Sequence, residues 1–285
     1  MKWPVRELDR QEFPPLLSEI PGPPGRLWLR GELPPPGHKC LAVVGSRAIT
    51  GYGRQACKTL IGGLAGYPVS IVSGLALGTD AAAHEAALDA GLHTLAIPGS
   101  GIEDDVLYPS TNRGLAKRIL EAGGGLMSEF PPDSRATRWG FPKRNRIMAG
   151  IADAVLVIEA GERSGTLITA RLAGEYNREL LCVPHEIGSP HGFGSHLFIR
   201  LGAELVSDPK HILEALRLKP REESGEAPPE LEGAEREIYD LLEEPAAHDE
   251  IIRALRLEAK EALAALVMLE LRGVLKKEFG KWRRM

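Results

Sequence analysis

The chain has 285 residues, 43% hydrophobic and 26% charged, with a formal net charge of −4; this composition suits a globular protein with one full α/β core and a small second domain. No run approaches the roughly 18 uninterrupted apolar residues of a membrane helix, and MKWPVRELDRQEF lacks a signal-peptide apolar core, so a cytoplasmic protein with no membrane partner is expected. Cys40, Cys57 and Cys182 are scattered, with no CxxC and no clustered histidines, which argues against a disulfide framework and a structural zinc site.

Residues 1–39 hold nine of the 22 prolines, a density no regular helix survives, and Leu27, Trp28 and Leu29 suggest an arm packed on the core. From Cys40 the pattern repeats as strand, Gly-rich turn, helix. CLAVVGS precedes a helix from about Gly53 to Ala65, VSIVSG one from Thr79 to Ala90, and HTLAIPG one from Arg113 to Ala122. GLMSEF, AVLVIEA with a helix from Gly165 to Tyr176, LLCVP, and ELVSD with a helix from Pro209 to Leu216 complete the series. Continuous apolar strands alternating with helices mean a parallel sheet covered on both faces, so residues 40–218 are expected to form a Rossmann-like, doubly wound, mostly parallel α/β domain. Cys40 and Cys182 fall in strand-like runs and read as small buried hydrophobes.

LKPREESGEAPPE reads as a linker over 219–230. Residues 231–285 then supply helices at Glu235 to Leu242, Asp249 to Leu255 and Ala259 to Leu271, the last with Leu263, Leu266, Val267 and Leu271 on one face. VLKKEF, Gly280 and KWRR follow as a two-stranded wing, so the tail resembles a winged helix-turn-helix. Its basic wing (Lys276, Lys277, Lys281, Arg283, Arg284) fits either a nucleic-acid contact or a solvated face. Charge is unevenly spread: 12 acids against 2 bases between Arg221 and Glu250, then 9 bases against 4 acids from Ile251 to Met285. The overall negative sign therefore does not exclude a nucleic-acid partner.

The densest chemistry lies in RATRWGFPKRNR. Arg135, Arg138, Lys143, Arg144 and Arg146 flank Trp139 and Phe141 with no acid among them. The stretch fits a solvated basic loop; it equally fits a single strand, whose phosphates cations neutralise and whose bases stack on aromatic faces at ~1–3 kcal/mol each. Ligands of an open parallel sheet sit beyond the carboxyl ends of its strands. Those turns carry Gly45, Ser46 and Arg47; Ser73, Gly74 and Gly78; Gly99, Ser100 and Gly101; and Ser164, Gly165 and Thr166, all suited to anions. GxGxxG, Walker A, GxSxG and HExxH motifs are missing, which disfavours dinucleotide, nucleotide hydrolase, esterase and zinc-protease chemistry. Asp80 and His84 share a helix face and suit a structural hydrogen bond better than a metal site. Glu129 is expected to pair with an arginine, and His185, His191 and His196 lie in a loop-like region without fixed ligand spacing.

In VGSR (Val44 to Arg47), TxYG (Thr50 to Gly53), SGxAxGxD (Ser73 to Asp80), YPxxN (Tyr108 to Asn112), SEFP (Ser128 to Pro131), FPxRNR (Phe141 to Arg146), SGTLITA (Ser164 to Ala170) and LGA (Leu201 to Ala203), the chain resembles the bacterial DNA-processing protein A family (DprA, also called Smf). The resemblance implies a non-enzymatic protein of natural transformation that binds single-stranded DNA, forms a homodimer, and loads the recombinase RecA. It assigns DNA contact to Gly45, Ser46, Arg47 and the FPxRNR stretch. With the residue reading, the expected contacts are Gly45, Ser46, Arg47, Trp139, Phe141, Lys143, Arg144, Asn145, Arg146, Ser164, Gly165 and Thr166, with no catalytic residue, metal or cofactor. Phosphates are expected to run over the Gly45–Arg47 turn and Lys143 to Arg146, with residues 219–285 dispensable. Thr79, His185 and His196 depart from the family's usual Ile, Gly and Asn. A rival from another class is a lysine-decarboxylase-like phosphoribohydrolase; its PGGxGTxxE signature is missing, and Thr169 stands where its glutamate would be.

Overall fold

The computed structural model describes residues 3–219, 231–242, 244–255, 257–278 and 280–284. The chain divides into two compact units, Met1–Lys219 and Pro220–Met285. The linker expected over 219–230 lies, from 220 on, outside the described residues.

The first unit is built on seven parallel strands: β3 (Lys39–Val44), β4 (Val69–Ser73), β5 (His93–Ala96), β6 (Gly125–Ser128), β7 (Ala154–Val157), β8 (Glu179–Cys182) and β9 (Glu204–Leu205). The Pro-rich arm does more than pack on this sheet. It contributes β1 (Val5–Glu7) and β2 (Trp28–Gly31), which extend the sheet antiparallel beside β6, with Trp28 opposite Ser128 and Gly31 opposite Gly125. A buried Arg30 fastens the arm, donating to Asp104 Oδ1 at 2.6 Å and to the Ile102 carbonyl. Between the two strands lie a 3-10 turn, Arg10–Glu12, and one short helix, α1 (Pro15–Ser18).

The sheet order is β1-β2-β6-β5-β4-β3-β7-β8-β9. From β3 the chain winds outward through β4, β5 and β6, then returns to β7 on the other side of β3. That reversal opens a crevice beyond the carboxyl ends of β3 and β7, the place where open α/β sheets hold ligands. Helices cover both faces: α2 (Gly51–Gly62), α3 (Thr79–Asp89), α4 (Arg113–Glu121) and α8 (Pro209–Ala215) on one, and α1 with α5 (Gly140–Ile151), α6 (Thr166–Glu175) and α7 (Phe193–Arg200) on the other. Strand alternation decides which core each side chain enters. Leu41 and Val43 pack with Cys57, Leu60 and Ile61 of α2, whereas Cys40, Ala42 and Val44 pack with Ile147, Met148 and Ile151 of α5. Local chemistry sets the helix starts: Thr50 caps α2 by accepting from Gly53 N at 3.1 Å, and Asp208 caps α8 by accepting from Lys210 N at 2.8 Å, each worth about 1 kcal/mol.

All three cysteines are free and buried, and burial pushes each thiol up to about 12, so they stay protonated and act as apolar filler.

The second unit comprises α9 (Gly233–Leu241), β10 (Ala246–Ala247), α10 (His248–Leu255), α11 (Ala259–Leu271) and the antiparallel pair β11 (Leu275–Glu278) and β12 (Lys281–Arg284), with β10 pairing β12. Three helices and a hairpin make a winged helix around Ile238, Ile251, Leu266, Leu269 and Trp282. The buried face of α11 differs from the expected one. Ala262, Ala265, Leu266 and Leu269 point inward, while Leu263, Val267 and Leu271 are exposed. Ala262 and Ala265 share the inward face with Leu266 and Leu269, which leaves Leu263, Val267 and Leu271 on the outer side of the helix. In the wing, Arg284 is drawn inward, donating to the carbonyls of Tyr239 at 2.7 Å and Asp240 at 2.9 Å.

Candidate nucleic-acid interface

The crevice at the strand reversal is a cavity of about 570 Å3. Its floor is the turn after β3. Thr79 N and Thr79 Oγ1 both donate to the Ser46 carbonyl, at 3.0 and 3.1 Å, clasping the turn onto the start of α3. Gly78 makes this approach possible: its φ is +77°, and a Cβ there would lie 2.3 Å from the Ser46 carbonyl oxygen. From the other side a buried Glu159, just past β7, accepts from Thr50 N at 3.1 Å and from the Thr50 hydroxyl. The loop carrying Gly45, Ser46 and Arg47 is thus held at both ends and pre-shaped.

The opposite wall is α5, and this corrects the expectation of one continuous basic track. The RATRWGFPKRNR stretch enters a helix at Gly140, so its side chains sort by helical period. Phe141, Arg144, Asn145 and Met148, spaced i, i+3, i+4 and i+7, face the cavity. Lys143 and Arg146 turn away to Glu129: Arg146 makes a close ion pair with its carboxylate, and Lys143 Nζ lies 3.6 Å from it. Trp139 precedes the helix and is 86% exposed, outside the cavity lining.

Arg144 lines the cavity from within the protein. It is only 5% exposed, donates to the Ile97 carbonyl at 2.8 Å, and faces the buried Asp80 at 3.7 Å. Gly74 is required here, because a Cβ would lie 1.2 Å from Arg144 Nη1. Burial pushes the Asp80 carboxyl up and the Arg144 guanidinium down, and each charge partly restores the other. Arg47 has the opposite character. It is exposed, and its guanidinium stacks over the Phe141 ring at 4.8 Å, with Tyr108 5.8 Å from the same ring.

The third wall is the turn from Gly161 into α6. Ser164 N donates to the Gly161 carbonyl at 3.0 Å and Thr166 N to Ser164 Oγ at 3.2 Å, which sets the α6 amino terminus at the cavity edge. That end carries a partial positive charge suited to an anion. Nine of the twelve expected residues therefore meet at one cavity: Gly45, Ser46, Arg47, Phe141, Arg144, Asn145, Ser164, Gly165 and Thr166. Lys143, Arg146 and Trp139 do not line it. Arg163 also lines the cavity; its place immediately before SGT, in the turn that follows an apolar strand, is the sequence signal for it.

Other candidates resolve as structural. His84 Nδ1 lies 2.7 Å from Thr94 Oγ1; that hydroxyl donates to the Ile71 carbonyl, so the imidazole is the donor. Asp80 serves Arg144. Thr169 is buried in the cavity wall, where the phosphoribohydrolase chemistry would place a carboxylate. His196 lies in α7 and not in a loop, its Nε2 donating to the His185 carbonyl at 3.0 Å. Among the described residues no three His, Cys, Asp or Glu side chains gather as a metal site, and no helix is long and apolar enough to cross a membrane.

Fold and site together define a Rossmann-like protein with a cationic, aromatic-edged cavity at its topological switch point. The chain belongs to the DNA recombination-mediator protein A family, whose model matches residues 5–217; the DprA winged helix domain matches residues 222–281. It is 43% identical over 209 residues to Protein Smf of Escherichia coli, covering 73% of this chain but only 55% of that protein. It is 40% identical over 204 residues to the DNA processing protein DprA of Streptococcus pneumoniae, covering 70% of each. The X-ray structure of the Streptococcus pneumoniae DprA aligns with TM-score 0.68 at 38% identity over 75% of this chain and 74% of that one. A Helicobacter pylori DprA structure, described for its single-stranded DNA binding mode, aligns with TM-score 0.65 at 27% identity over 75% of this chain and 95% of that one.

Proposed function

We propose that this chain binds single-stranded DNA in the switch-point cavity and acts without catalysis, as a cytoplasmic homodimer that protects incoming strands in natural transformation and loads the recombinase RecA. The observation that carries the reading is the Arg47–Phe141 stack at the cavity edge: an exposed cation and an aromatic ring, side by side, offer one contact to a phosphate and one to a base. Arg163 and the α6 amino terminus favour an anion in the same space. The Helicobacter pylori relative, described as binding single-stranded DNA, supports the choice of ligand.

The test is fluorescence anisotropy of labelled oligo-dT against a duplex of equal length, at two salt concentrations. Preference for the single strand with salt-sensitive affinity is expected, and Arg47→Ala should weaken binding to all sequences while reducing the salt slope by about 0.7, the value for one phosphate contact. Equal affinity for duplex, or no binding, would overturn the reading. Size-exclusion chromatography with light scattering tests the homodimer, and nucleation of RecA filaments on strands coated with a single-strand-binding protein tests the loading role.

A further inference from the structure

Two further cavities meet the switch-point cavity at the 188–191 turn. One, about 450 Å3, adjoins it at His191; the other, about 670 Å3, adjoins it at Arg163 and Pro190. A strand longer than the switch-point cavity can continue into either of them, and their walls differ in charge. The first carries the carboxylates of Glu159 and Glu186 and no lysine or arginine. The second carries Arg163 and Arg200 against the single carboxylate of Glu162.

We propose that single-stranded DNA continues from the switch-point cavity past Pro190 into the groove between the Glu162–Arg163 turn and α7, where Arg163 and Arg200 take its phosphates and Phe193 stacks a base. This rests on the reading of the cavity as a single-strand site. The geometry of α7 supports it. Gly194, Ser195 and Phe198 are buried, so the helical period turns Phe193, Leu197 and Arg200 toward the groove. Phe193 remains 42% exposed, an aromatic face open to a ligand. Neither Arg163 nor Arg200 has an ion pair or side-chain hydrogen bond among the described residues, unlike Lys143, Arg144 and Arg146. The groove is also fixed in place: Gly194 N donates to the Ala160 carbonyl at 2.7 Å and Ala160 N to the His191 carbonyl at 2.8 Å, tying the start of α7 to the end of β7.

The experiment is anisotropy with dT6 and dT12 on the full chain. For the unmodified protein dT12 should bind more tightly than dT6. Phe193→Ala/Arg200→Ala should leave dT6 within about twofold but cost dT12 about tenfold, with a salt slope for dT12 lower by about 0.7. Glu162→Gln should shift dT12 the other way, to tighter binding, with dT6 unchanged; this variant removes a repulsion and guards against a trivial loss of folding. The inference is overturned if the double variant tracks the unmodified protein at both lengths, if it loses the same factor at both, or if the unmodified protein gains nothing from the longer strand. If the unmodified protein binds neither oligomer, the single-strand reading itself falls and takes the groove with it.

Discussion

Arg144 and Arg47 line the same cavity, but they are different kinds of cation. Arg144 is buried, bound to the Ile97 carbonyl and facing Asp80, and it forms part of the cavity wall. Arg47 lies on an aromatic ring with its donors toward solvent. A buried charge is held by its counter-charge and punishes removal with misfolding; an exposed one is free to trade water for a phosphate. The first builds the site and the second is available to use it.

The sharpest test of that division is to remove the buried member. Arg144→Met leaves the Asp80 carboxylate buried without its counter-charge, which should cost ~3–5 kcal/mol and lower Tm by roughly 6–20 °C for a unit of this size. Asp80→Asn combined with Arg144→Met should recover much of the loss, because no charge is then stranded. Calorimetric scans of the three proteins read both numbers. A single variant that melts like the unmodified protein but no longer binds a strand would break the comparison, making Arg144 a ligand-contacting residue and not a structural one.

A smaller effect follows from the neighbour of that pair. Burial, helped by the Arg144 charge, holds His84 down to about 3, whereas the unfolded imidazole protonates near 6.5. Between those values the unfolded chain binds the extra proton, so stability is complete above about pH 6.5 and is lost as pH falls, with a slope of up to ~1.4 kcal/mol per unit. His93, held down to about 4 mainly by burial, adds the same sign over a shorter window. In thermal melts from pH 6.5 to 4.5, His84→Gln should flatten the decline. An unchanged slope would mean that the interior beside Arg144 tolerates a second cation, and the contrast with the exposed arginines would lose its electrostatic basis.

What the sequence could disclose divides along the same line. Continuous apolar runs such as CLAVV and VSIVS can be satisfied only in a sheet covered on both faces, and the turn after the first of them, Gly45 to Arg47, lines the switch-point cavity. The helix over the basic stretch was hidden because Gly140, Phe141 and Pro142 read as loop. In the structure Pro142 falls in the first turn of α5, where its missing N–H costs nothing. Without the helix there was no period to separate Arg144 and Asn145 from Lys143 and Arg146. Nor could composition reveal that one arginine in a run of cations is buried, since arginine is almost always at the surface and Asp80 lies 64 positions away in the chain. The edge strands of the arm were obscured by the prolines around them; Trp28–Gly31, proline-free and opposite β6, gains its strand form from pairing and not from local preference.

The smallest effect belongs to Lys143, the residue that the linear reading and the helical reading treat most differently. Its Nζ is 3.6 Å from a Glu129 carboxylate already engaged by Arg146, and the side chain is more than half exposed. Such a pair contributes little, so Lys143→Ala should change stability by less than about 0.5 kcal/mol. Because the side chain does not line the cavity, its loss should also weaken oligo-dT binding less than Arg47→Ala does and leave the salt slope nearly unaltered. A Lys143→Ala defect equal to that of Arg47→Ala, with the slope reduced by about 0.7, would mean that the strand runs along the outside of α5. The partition of this helix into a structural face and a cavity face would then be the wrong guide to where DNA lies.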